Sequence, residues 1–129
     1  MPPQMISPLV LAELEQVFAS IRRFRFKLIA TDWFGEEVLW LALADPVPFR
    51  ALTEGVYRAF PAFPPFGGQH DVLIPHLTIG HGRPVNELRA AERSVQAHLP
   101  IEADANTVTL MTEHSAWGQW SNSATFNLA

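Results

Sequence analysis

A chain of 129 residues with a formal net charge of -4 and an apolar fraction of 48% holds the material for one domain built on one core. The acidic balance excludes attachment to nucleic acid or to a membrane surface through bulk positive charge, so neither DNA nor membrane is an expected partner. The absence of cysteine excludes disulfides, thiolate chemistry and sulfur-ligated zinc.

The first residues, MPPQMISPLVLAELEQVF, have no basic region ahead of their apolar run, and Glu13 and Glu15 interrupt it, so they do not read as a signal peptide. No apolar run reaches the length of a membrane span, and a cytoplasmic protein is the expectation. No repeat, low-complexity tract or linker divides the chain, which predicts a single domain over residues 1–129.

The stretch SPLVLAELEQVFASI opens with Ser7 as N-cap and Pro8 at the first helical position, and Val10, Leu14, Val17 and Ile21 then fall on one face. FRFKLIATDWF alternates Phe24, Phe26 and Leu28 with Arg25 and Lys27, and the apolar run EEVLWLAL follows Gly35, so the two predict a hairpin. In DPVPFRALTEGVYRAF, Phe49, Leu52, Val56 and Phe60 recur at helical spacing until PAFPPFGG breaks the pattern. DVLIPHLTIG reads as a strand and RPVNELRAAERSVQAHL as a helix with Val85, Leu88, Ala91, Val95 and Leu99 inward. NTVTLMTEH and ATFNLA read as antiparallel strands around a polar, Trp-bearing turn. The order is helix, two strands, helix, strand, helix, two strands, an α+β domain.

Within IPHLTIG the chemistry-bearing residues are His76 and Thr78. Residues two apart on a strand share a face, so imidazole and hydroxyl stand side by side while Leu77 and Ile79 turn toward the core. Such a pair suits a phosphate: the imidazole exchanges a proton near neutral pH and the hydroxyl donates to a non-bridging oxygen. A lone His-x-Thr is a weak signal, since a strand histidine is more often structural.

VLWLAL, PFRALTEGVYRAFP, FPPFGG and IPHLTIG, in this order and at this spacing, resemble the 2'-5' RNA ligase-like branch of the two-histidine (2H) phosphoesterase superfamily. The resemblance implies a bilobal α+β fold of antiparallel sheets with packed helices, in which each of two lobes contributes a His-x-Thr/Ser strand. It also implies action on 2'-linked or 2',3'-cyclic phosphodiesters of nucleotides or RNA ends, with no metal and no cofactor. One histidine serves as general base and the other as general acid. Carried over, His76 is one acid/base and Thr78 a phosphate donor.

The first motif of such proteins, an apolar strand reading roughly Pro-x-His-x-Thr-Leu ahead of the first helix, has no counterpart before SPLVLAELEQVF. His70, His81, His98 and His114 lack a Thr or Ser two residues on. Three explanations stand open: a start further upstream, completion of the half-site by a second copy, or lost catalysis. Two chains about a true two-fold would bring two His76 side chains together, and the apolar surplus with 4 Trp and 9 Phe suits a homodimer. The alternative function is a non-catalytic module that binds a nucleotide phosphate or RNA end with one half-site. A third reading is a structural dimerisation domain.

Other residues carry alternatives of their own. Arg22, Arg23, Arg25 and Lys27 cluster; Arg25 and Lys27 are candidates for RNA phosphate contact, against the reading of a solvated strand face. Among Trp33, Trp40, Phe66, Trp117 and Trp120, Trp40 reads as core and Phe66 as the rim of a cleft where a base stacks. Gly67 and Gly68 read either as a turn or as a substrate edge, without the lysine of a phosphate-binding P-loop. His70, His76 and His81 suggest no metal, because His76 and His81 fall on opposite faces of a regular strand and no carboxylate joins them.

Overall fold

Ser7 caps the first helix as its position predicts. In the computed structural model, which describes residues 1–68, 74–114 and 118–129, the Ser7 hydroxyl accepts from Val10 N at 3.3 Å and Pro8 begins α1 (Pro8–Ala19). Pro8 supplies a fixed φ where no backbone donor is needed. The remaining elements are β1 (Phe24–Phe34), β2 (Val38–Leu43), α2 (Val47–Ala59), β3 (His76–His81), α3 (Val85–Gln96), β4 (Ile101–Ala105), β5 (Thr107–Glu113) and β6 (Trp120–Asn127). Short 3-10 turns occupy Pro3–Met5 and Pro65–Gly68. The chain is α+β, as its element order predicts, and it forms two compact units.

The first unit contains Met1–Phe24, Arg50–Asp71 and Ala105–Ala129. Its core is Leu14 and Phe18 from α1 against Phe126 and Leu128, with Val10, Val17, Ile21, Leu52, Val56 and Phe60 packed around them. The Phe18 and Phe126 rings meet at 5.4 Å between centroids. β5 and β6 pair antiparallel, Val108 opposite Phe126 and Leu110 opposite Ala124, which turns these four toward that core. The chain's end is tied back by Ala129 N donating to Ile21 O at 2.8 Å and Arg23 N donating to Ala129 O at 2.9 Å. The Arg23 guanidinium donates to the Leu128 and Ala129 carbonyls.

The second unit contains Arg25–Phe49 and Val72–Asp104 and holds a four-stranded sheet in the order β3-β2-β1-β4. β1 and β2 form the predicted hairpin, with Gly35 at φ +60° supplying the left-handed turn residue that most side chains avoid. α3 covers one face. Trp33 Nε1 donates to Glu92 Oε2 at 2.8 Å, Gln96 Nε2 donates to Thr31 Oγ1 at 3.0 Å, and the Arg89 guanidinium lies 4.7 Å from the Trp33 ring centre. Leu39, fully buried at 0% exposure, Leu41 and Leu88 complete the layer.

Gly80 is required by that layer. A Cβ built on it would stand 2.6 Å from Leu88 Cδ2, and Leu88 is itself buried. Gly80→Ala is therefore expected to lower stability by about 1–3 kcal/mol through overpacking, read as a shift of the urea midpoint at unchanged slope. A variant as stable as the parent would show that Leu88 has room to move.

Four details depart from the sequence expectations. IEADA forms β4, a strand that its Glu, Asp and Ala content does not announce. β3 begins at His76; Ile74 and Pro75 precede it without strand pairing, and residues 71–73 of the expected strand lie outside the described residues, as do His70 and Trp117. Leu77 was expected in the core, yet it keeps 53% of its surface because β3 is the sheet's edge strand. Val85, expected inward, is exposed at the start of α3.

Among the described residues no helix is long and apolar enough to cross a membrane.

Candidate functional site

The face of the four-stranded sheet opposite α3 carries the residues of chemical interest. Register fixes which side chains share it. Asp32, Trp40 and Thr78 stand in one row across β1, β2 and β3, and Ala30, Ala42 and His76 stand in the next. The alternation predicted for His76 and Thr78 thus holds, and both are exposed. Gly80 pairs with Leu39 and Thr78 with Trp40, so the register shifts between them, and beyond the shift His81 pairs with Val38. Val38 is on the Trp40 side of β2, so the shift returns His81 to the face of His76, where a regular strand would have put it on the other.

His76 is held from several sides. Its Nδ1 lies 2.7 Å from Ile74 O. A carbonyl only accepts, so Nδ1 carries the proton and donates, and the neutral imidazole keeps its lone pair on Nε2. The ring stands edge-on to Phe34 at 5.0 Å between centroids and tilted against Trp40 at 5.6 Å, while Phe34 and Trp40 stack on each other at 4.8 Å. Two aromatic walls and one hydrogen bond therefore set the imidazole plane. Trp40 is buried, and its Nε1 finds no hydrogen-bond acceptor among the described residues. An exposed imidazole with one nitrogen committed and the other available can take a proton from a hydroxyl or water and return it. The neighbouring Thr78 hydroxyl can donate to an oxyanion.

Arg25 and Lys27 lie on the same side of the sheet, because the register shift between Leu28 and Ala30 carries their alternation onto the face of Ala30 and Asp32. Both have carboxylate partners. Arg25 Nε donates to Asp104 Oδ1 at 3.1 Å, and Lys27 Nζ lies 3.2 Å from Glu102 Oε1. The hydrogen bond to Asp104, followed by the charges of Asp104 and Glu102, holds the Arg25 guanidinium above its ordinary pKa. Lys27 is two strands across from His76 and three residues along from its row, roughly 14 Å away at about 4.8 Å per strand and 3.3 Å per residue. By backbone position the basic pair is thus not an immediate neighbour of His76.

The Pro65–Gly68 turn contains Phe66, Gly67 and Gly68, and Gly68 adopts φ +78°. The Phe66 side chain lies outside what is described. Trp33 is committed to α3 through Glu92 and Arg89, so it is not a free platform for a base. Trp120 is exposed on β6. Among the described residues no group of three or more His, Asp or Glu side chains could hold a metal ion.

Sequence reasoning missed Phe34 as a neighbour of His76 and missed the carboxylates that meet Arg25 and Lys27. The first was readable from the hairpin: a turn opening at Gly35 sets Phe34 opposite Val38, two residues from Trp40 and on the same face. The second required β4, which the sequence conceals.

No curated protein matches the chain. A family model described as the 2'-5' RNA ligase superfamily matches residues 1–117, from before α1 through the whole of β3 to beyond the end of β5. A match over nine-tenths of its length, on an α+β fold with His76 and Thr78 side by side on an open sheet face, makes the chain a member of the 2'-5' RNA ligase superfamily, the 2H phosphoesterases.

Proposed function

We propose that the protein is a phosphodiesterase or 2'-5' RNA ligase-like enzyme acting on 2'-linked or 2',3'-cyclic phosphodiesters of nucleotides or RNA ends, through His76 and Thr78 and without a metal. The observation that carries the reading is the hydrogen bond from His76 Nδ1 to Ile74 O, which reserves Nε2 for proton transfer beside the Thr78 hydroxyl. Family membership supplies the class of bond.

In hydrolysis of a 2',3'-cyclic phosphate, His76 Nε2 takes a proton from water as the water oxygen attacks phosphorus. One of the two ester P–O bonds breaks, and its oxygen leaves with a proton from solvent or from a second acid. Thr78 donates to a non-bridging oxygen, where charge accumulates. Arg25 and Lys27 are proposed to meet a phosphate beyond the reacting one, the role their separation from His76 leaves them.

A second histidine of this kind is supplied in our reading by a homodimer, in which the other copy's His76 serves as the acid. The test is turnover of a 2',3'-cyclic nucleotide with EDTA present, over a protein dilution series. His76-dependent turnover that falls faster than linearly on dilution is the expected result. Linear turnover would overturn the shared site, and no turnover would overturn catalysis on this ester and leave a phosphate-binding module.

Thr78→Val keeps the β-branched shape and removes only the donor. It is expected to lower kcat about 10- to 100-fold with little change in stability, the usual weight of a hydrogen bond to a charged group. Unchanged kcat would remove Thr78 from the site.

A further inference from the structure

The inward face of the β5–β6 sheet changes character along its length. Val108 and Leu110 on β5 and Phe126 and Ala124 on β6 face the core. One step further the same face presents Thr112 opposite Ser121, both half-buried, and then His114. The register shift between Leu110 and Met111 makes this arrangement, because it brings Ser121 onto the face of Ala124 although the two are three residues apart.

These side chains are joined in pairs: His114 Nε2 lies 2.6 Å from Ser121 Oγ, and the Thr112 and Ser123 hydroxyls share a hydrogen bond. His114 N donates to Gln119 O at 2.8 Å, which fixes the backbone that carries the imidazole.

We propose that Thr112, His114, Ser121 and Ser123 form a binding site for the phosphate group of a monoester or of inorganic phosphate. Three hydroxyls and an imidazole offer more hydrogen-bond donors than their two mutual bonds consume. No carboxylate belongs to the cluster. Glu113 points to the opposite face of β5 by alternation, and its Oε1 accepts from Gly118 N at 3.0 Å. That inventory suits an oxyanion and not a metal cation, which would want carboxylates.

The pair was hidden in the sequence because its order is reversed: His114 has no hydroxyl two residues on, but Thr112 lies two residues before it. A strand face has no direction, so Thr-x-His sets the same two groups side by side as His-x-Thr. The cluster belongs to the β5–β6 hairpin alone and is independent of the role given to His76.

The test is a titration with inorganic phosphate at constant ionic strength, following the imidazole resonances of the five histidines assigned by single His→Gln variants. Expected are saturable shifts of the His114 resonances with millimolar affinity, weakened at least about fivefold in Ser121→Ala/Ser123→Ala and in Thr112→Val and unchanged in His76→Ala. The backbone amide spectrum of each variant reports that it is folded, and the isosteric Thr112→Val carries the test should the double variant unfold. A nucleoside 3'-monophosphate that binds more tightly than phosphate assigns the site to a nucleotide end, and equal affinity assigns it to the free anion. Absence of His114 shifts, or shifts that do not saturate and persist in both variants, would overturn the proposal.

Discussion

Replacing His76 by alanine is expected to reduce hydrolysis of a 2',3'-cyclic nucleotide by about 10²- to 10⁴-fold, the range that general acid-base catalysis supplies. The loss should fall on kcat, since the imidazole acts on the proton in transit and adds little to ground-state binding. His76→Ala also takes an aromatic neighbour from Phe34 and Trp40, so packing needs its own control. His76→Gln supplies it, because glutamine keeps volume and hydrogen-bonding capacity near the Ile74 carbonyl without a group that titrates. His76→Gln should match the loss of kcat in His76→Ala and retain the parent's unfolding midpoint. A His76→Gln enzyme with more than about a tenth of parental kcat would exclude proton transfer by His76 and confine the side chain to packing.

The pairing of His76 with Thr78 was legible in the sequence because strand alternation is strict over two residues. Helices α1 to α3 and the β1–β2 hairpin were legible for a related reason. Each shows several apolar residues at a clean period, with Ser7, Gly35 or a proline marking an end. What escaped depends on pairing rather than period. The shifts at Ile29, Ile79 and Ser123 each insert one residue against a neighbour, and one residue exchanges the faces of everything beyond it. This is how His81 comes to the face of His76 and how Ser121 joins Thr112. β4 escaped because its alternation is short and its outward residues, Glu102 and Asp104, are poor strand formers until Arg25 and Lys27 stand beside them.

Leu39 and Leu77 separate these two sources of information. Alternation alone treats both as inward apolar residues of strands in the same sheet. In the structure Leu39 is on the central strand β2, between Trp33 of β1 and Gly80 of β3 with no exposed surface, whereas Leu77 on the edge strand keeps half of its own. Leu39→Ala leaves a cavity that neighbours on both sides hold open, for a cost of about 2–5 kcal/mol, a large share of the 5–15 kcal/mol that folds a typical domain. Leu77→Ala removes side chain that solvent already reaches, for a cost of about 1 kcal/mol or less. Urea unfolding of the two variants should therefore differ by more than 1 kcal/mol, with the slope unchanged. Equal large losses would mean that something covers β3 in solution, and a homodimer through that edge would then be the first arrangement to examine by sedimentation at several concentrations. Equal small losses would mean that α3 does not seal the face over Leu39.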